Sequence, residues 1–192
     1  MKQHKTIFWS ILLLVVIAAL YRVVPGRPNG FAPQWAMAIF AGAVIKNRKW
    51  AFAVPVLSMF ISDVLYQLLY WLGVASFGGF YEGQWQNYLL FGVLVLVGMA
   101  IRKVNVLQVG LASVAAPSIY FILSNFLVWA SNSGTRGLGR PKTFDGLMLC
   151  YNDGIPFYLT SVMATFVFSL ILFGTYWILQ KNAPRHSMRQ AS

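Results

Sequence analysis

Six apolar runs, at about 7 to 24, 32 to 45, 50 to 72, 86 to 101, 107 to 130 and 156 to 179, alternate with short polar stretches along the 192-residue chain. Each is read as a helix, because a hydrocarbon layer about 30 Å thick takes about 20 apolar residues at about 1.5 Å each. Six such helices use about 120 positions and leave roughly 70 for loops and tails, so no large soluble domain fits. The second and fourth runs, of 14 and 16 residues, are short for that thickness. They extend through their flanks, stop inside the protein or thin the bilayer. The pattern thus predicts an all-α integral membrane protein, a six-transmembrane-helix bundle forming one domain over residues 1–192.

Composition agrees with the pattern. Charged residues make up only 10 % of the chain and hydrophobic ones 58 %, whereas a soluble domain carries about 25 % charged residues. The net charge of +11 is spread in clusters between the runs rather than gathered on one soluble face. That excludes a nucleic-acid groove and fits anchoring at lipid headgroups. With six spans, one side receives Lys2, Lys5, Lys46, Arg48, Lys49, Arg102, Lys103, Lys181, Arg185 and Arg189. The other receives Arg22, Arg27, Arg136, Arg140 and Lys142, together with the acids Glu82, Asp145 and Asp153. Positive charge collects on the cytoplasmic side, so both termini are expected in the cytoplasm of a bacterial inner membrane. Lys2 and Lys5 ahead of the first run imitate a signal peptide, but Tyr21 to Asn29 lacks a small-x-small cleavage site, and the run is read as a retained span.

Little in the chain points to covalent chemistry. Cys150 is the single cysteine and the two histidines, His4 and His186, lie in polar tails. Neither a disulfide nor a soft metal site is expected. No GxxxxGK[ST], HExxH, CxxC or GxSxG motif occurs, so the chain is expected to be no enzyme and to hold no cofactor.

Candidate binding chemistry comes from residues too polar for their depth. Asp63 lies in the third run about 15 Å from its external end. An acid so placed must face a polar interior, pair with a cation or take a proton. Gln67 follows one turn outward and Tyr70 nearly in line, a stripe opening to the outside. The alternative is a packing hydrogen bond from Asp63 to Ser58, Ser62 or a tryptophan. On the fifth run, Asn125 and Trp129 are one turn apart with Ser118 below them, predicted to meet the Asp63 stripe; the alternative is ordinary helix glue. Between the first two runs, three prolines, Gly30 and the residues Arg22, Arg27, Asn29 and Trp35 form a preorganised external lip. Its arginines either hold an anionic substrate or snorkel to lipid phosphate. The long external stretches at about 73–85 and 131–155 carry aromatic side chains and, from a Thr143 cap, a short interfacial helix that ends before Pro156 opens the last span. Ala38 and Gly42 have small-xxx-small spacing, a face for another helix of the same chain or of a partner.

Ala36-x-Ala38-x-Phe40-x-Gly42-Ala43, Pro55, Ser62-Asp63, Ser124-Asn125-Phe126, Pro141-Lys142-Thr143 and Pro156-Phe157 resemble a small uncharacterised bacterial membrane family. That family is similar to the S components of energy-coupling-factor (ECF) transporters. The resemblance implies a substrate-binding subunit for uptake of a small nutrient such as a vitamin or metal ion, docking on a transmembrane scaffold with two ATPases. Asp63, Gln67, Asn125 and Trp129 would line its pocket beneath a lip of Asn29 and Trp35, and Ala38 and Gly42 would supply the docking face. Where the resembled pattern has an acid early in the last helix, this chain has Thr165. The rival expectation is a noncatalytic structural or assembly subunit of a membrane complex.

Overall fold

A computed structural model describes residues 13–131 and 139–182. The start of the first run and Lys2, His4, Lys5, Arg136, Arg185, His186 and Arg189 lie outside the described residues. Six helices follow one another: α1 (Leu13–Arg22), α2 (Gln34–Val44), α3 (Arg48–Trp71), α4 (Gln84–Met99), α5 (Val106–Ser131) and α6 (Phe144–Asn182). No strand occurs among the described residues.

Three of these helices, α3, α5 and α6, are long and apolar enough to cross a membrane. They also turn large apolar side chains outward: Leu57 and Phe60 on α3, Leu111 and Ile122 on α5, Leu170 and Ile171 on α6. An apolar surface this extensive is tolerated in lipid and promotes aggregation in water. The chain is thus an all-α bundle with the character of a multi-pass membrane protein.

The short second run has become the centre of the bundle. At 11 residues α2 is about 16 Å long, half a hydrocarbon thickness. It lies against α3, α4, α5 and α6, and Ala36, Met37, Ala38, Ile39 and Ala41 are fully buried. Its small residues allow that position. A Cβ on Gly42 would stand 2.2 Å from the Val95 carbonyl oxygen, and one on Gly98 of α4 would stand 2.2 Å from that of Ile39. The two backbones interlock through a pair of glycines, a close approach that adds dispersion contacts without a side chain to order. Of the two neighbours expected for the Ala38 and Gly42 face, a helix of the same chain or of a partner, the fold shows the first: Gly42 packs against α4 and Ala38 is fully buried.

Local signals set the helix limits. Asn47 caps α3, its Oδ1 accepting from the Lys49 and Trp50 amides at 3.0 and 3.4 Å. Thr143 caps α6 as its position suggests, Oγ1 accepting from the Gly146 amide at 3.1 Å. The expected break at Pro156 is absent: α6 is continuous through it for 39 residues. A proline costs a helix one hydrogen bond and a steric adjustment, and packing of the preceding turns on α5 offsets this. Tyr151 donates to the Ile122 carbonyl at 3.1 Å, Cys150 to that of Asn125 at 3.5 Å, and Gly154 sits against the Asn125 side chain.

Candidate binding chamber

Asp63 is 1 % exposed, and every partner that satisfies it comes from the end of another element. Arg22, the last residue of α1, forms an ion pair with Oδ1. Oδ2 accepts from Gln84 Nε2 at 2.5 Å and Tyr88 Oη at 2.6 Å, both from the first turns of α4. Asp63 therefore lies where α1 stops and α4 starts, rather than deep among unbroken helices. The expected alternative partners are not used: Ser62 accepts from Arg22 at 2.6 Å and donates to the Met59 carbonyl at 2.7 Å, and Ser58 has no partner among the described residues.

The lip is held by Arg27. Its Nε and Nη2 donate to the Arg22 carbonyl at 3.2 and 3.0 Å. Nη1 donates to the carbonyls of Pro28 and Phe31 at 3.2 and 2.8 Å, and Nη2 also reaches the Tyr66 hydroxyl at 3.4 Å. Tyr66 in turn donates to the Arg22 carbonyl at 2.8 Å. All five guanidinium hydrogens are thus engaged, so Arg27 is a backbone clamp carrying a full positive charge. Gly30 fastens the other edge. It adopts φ +85°, and a Cβ there would lie 2.8 Å from Ser161 Oγ and 3.0 Å from the Phe157 carbonyl oxygen of α6.

These elements enclose a cavity of about 250 Å³ bordered by Arg22, Arg27, Asn29, Gln34, Trp35, Tyr66, Phe77, Tyr81, Asn87 and Tyr120, among others. The loop after α3 roofs it by folding back on that helix: Gly79 lies so close that a Cβ would overlap the Asp63 carbonyl, and Phe77 stacks on Tyr66 at 5.3 Å. Polar side chains line the wall in a relay. Tyr120 donates to Asn87 Oδ1 at 2.6 Å, and Asn87 Nδ2 donates to Gln84 Oε1 at 2.7 Å and to the Tyr81 hydroxyl at 2.8 Å. On the floor Gln34, 2 % exposed, donates from Nε2 to the Ala18 carbonyl at 2.9 Å, while its Oε1 has no partner among the described residues. A second cavity of about 250 Å³ lies between α5 and α6 and shares Gly30, Trp35 and Tyr120 with the first. Trp35 and Tyr120 stand together at the common border, 4.5 Å between ring centres.

The residues singled out from sequence are distributed rather than pooled. Asn29 and Trp35 border the main chamber. Asp63 lies behind Arg22 and is not part of the wall. Gln67 holds the roof, its Oε1 accepting from the Phe80 amide at 3.4 Å with Gly78 against it. Asn125 does not reach Asp63; it donates to the Phe121 carbonyl at 2.8 Å and lines the second cavity. Trp129 borders neither cavity and instead donates to the Pro141 carbonyl at 2.8 Å, with Lys142 over its ring at 5.3 Å. Gln34 falls within the stretch read as the lip, whereas Tyr66, Gln84, Asn87, Tyr88 and Tyr120 carry no signal in the sequence pattern that sets them apart from other polar and aromatic residues of the helices.

A model of a family of unknown function (DUF6580) matches residues 2–186. No curated protein and no solved structure matches the chain.

Proposed function

The chain belongs to this family of unknown function, and from that premise we propose that it is a membrane-embedded binding protein that captures a small organic solute without changing it chemically. The observation that carries this reading is the chamber itself. Polar groups that only locked helices together would close on one another, as Asp63 does with Arg22, Gln84 and Tyr88. Those along the chamber instead surround about 250 Å³ of space, more than the roughly 150 Å³ cavity that holds benzene. A polar space of this size takes water at rest and a solute in exchange.

The direction of capture follows from charge. The clusters at 46–49 and 102–103, with Lys181, lie at the helix ends opposite the chamber and outnumber the basic residues Arg22, Arg27, Arg140 and Lys142 of the chamber end among the described residues. On the positive-inside reading both termini are in the cytoplasm of a bacterial inner membrane and the chamber opens outward. Six short-looped helices with a solute chamber at the outer end are the plan expected of an ECF S component, and onward transfer would then need a transmembrane scaffold and two ATPases. Of the two substrate types such a subunit suggests, an organic solute suits this chamber better than a metal ion. Its wall carries two arginines and no carboxylate, while Asp63 is already neutralised. A structural or assembly role is the second reading, favoured by the completeness of the Asp63 network.

Mass spectrometry of small molecules released from protein purified in mild detergent separates the two. A solute should be recovered near one per chain from the wild type and lost from Ala32→Trp, which fills the chamber. Empty wild-type protein that forms a stable complex with other membrane subunits would favour assembly.

A further inference from the structure

Resting on the solute-binding reading, we propose that the solute is a small aromatic acid that also carries an N–H or O–H donor. The charge requirement comes from Arg27. Of the two arginines on the chamber wall, Arg22 is neutralised by Asp63, whereas Arg27 spends its donors on three carbonyls and the Tyr66 hydroxyl, none of them anionic. No acid borders the chamber, so no carboxylate on its wall balances Arg27, which, with its hydrogens already taken, acts on a solute through its charge rather than as a donor. Helix α2 adds to the same sign. It begins at the chamber with Gln34 and Trp35, and Pro33 before them supplies no side-chain cap, leaving the positive end of the helix dipole directed at the space.

The donor requirement comes independently from Gln34. Its amide is oriented by Nε2 bonding to the Ala18 carbonyl; turning it over would set two acceptors together. Oε1 is thereby left without a partner on a residue 2 % exposed that borders the chamber. A buried acceptor in that state asks for a donor from whatever fills the space. The aromatic requirement comes from the walls, where Trp35, Tyr66, Phe77, Tyr81, Phe91 and Tyr120 border the space and supply an aromatic lining suited to a flat solute.

Calorimetric titration of the full chain in detergent with four matched probes tests these requirements one by one. The probes are 4-hydroxybenzoate, benzoate, 4-hydroxybenzamide and tyramine. The proposal expects 4-hydroxybenzoate to bind tightest, roughly tenfold over benzoate, which lacks the donor, and by at least roughly tenfold over the neutral amide and the cationic amine. Gln34→Met should abolish the preference for 4-hydroxybenzoate, so that the two acids bind within about twofold of each other. Equal or tighter binding of the amide or amine overturns the anion requirement. Equal binding of the two acids by the wild type, which needs no variant to be folded, overturns the donor requirement. Binding of none of the four overturns the aromatic-acid class. Should the extracted solute prove neutral and still be lost from Ala32→Trp, this proposal fails and the solute-binding reading survives; recovery of no solute removes both.

Discussion

Replacing Arg22 by methionine keeps part of the apolar stem and removes the charge that balances Asp63. The two partners are unequally placed: Asp63 is 1 % exposed, while the Arg22 side chain is 22 % exposed and borders a polar chamber. Losing the arginine strands a buried carboxylate with only Gln84 and Tyr88 as donors, and breaking a buried pair in this way costs about 3–5 kcal/mol. Unit charges about 4 Å apart attract by about 4 kcal/mol at an effective dielectric of about 20, the same scale. Asp63→Asn instead leaves a guanidinium that chamber water reaches, and costs about 1–3 kcal/mol for the impaired hydrogen bonds. Arg22→Met should therefore be the more damaging change, by about 2 kcal/mol. The double variant should be more stable than the sum of the singles implies. Equilibrium unfolding in mixed detergent micelles, followed by tryptophan fluorescence, reads all three. If Asp63→Asn destabilises as much as Arg22→Met, or the two effects simply add, the pair does not neutralise a buried acid as described.

Further expectations concern close backbone contacts and the single cysteine. Gly30→Ala forces a side chain onto φ +85° and against the Phe157 carbonyl, and should cost more than about 1 kcal/mol in the same unfolding assay. Gly98→Ala places a methyl group 2.2 Å from the Ile39 carbonyl, so α2 and α4 must part, with a loss of about 1–3 kcal/mol or more. Cys150, less than two turns from the start of α6, is 7 % exposed. Alkylation by an iodoacetamide probe should accordingly be slow in the folded protein and accelerate when the bundle is unfolded; equal rates in the two states would contradict the burial.

Helix number and approximate position were legible in the chain because most of the apolar runs are long and are separated by charged or glycine-rich stretches. The run at 107 to 130 became α5 (Val106–Ser131) within a residue at each end. Two features were legible in kind but not in outcome. The shortness of the second run was visible, yet that α2 would be the buried centre depends on the Gly42 and Gly98 contact, which joins residues 56 positions apart. Pro156 signalled a helix start, and contacts of Tyr151 and Gly154 with α5 carried the helix past it. For the site, a lone acid in an apolar run announced Asp63, and pairing with a cation was one of three ways of accommodating it. The choice of Arg22 follows only from α1 ending at the level of Asp63. Arg27 looked like a direct anion or lipid contact, and sequence spacing does not show that its hydrogens are taken by carbonyls and the Tyr66 hydroxyl, which leaves only its charge to act on the chamber. Asn125 and Trp129 were misplaced for a related reason: helical spacing sets which residues share a face and says nothing of which neighbour that face meets.

The central claim is that a hydrophilic chamber opens at the outer end of the bundle and stops at the floor made by α2. Cysteine accessibility in bacterial cells tests it most directly, using Ala32→Cys on the chamber wall and Ala36→Cys one turn further into the bundle, each in a Cys150→Ser chain. Ala32 borders the cavity and Ala36 is fully buried. A charged, membrane-impermeant methanethiosulfonate added outside intact cells should modify the cysteine at 32 and leave the one at 36 untouched. Modification at 32 only after the membrane is permeabilised would place the opening on the wrong side, and no modification at 32 under either condition would contradict the chamber itself.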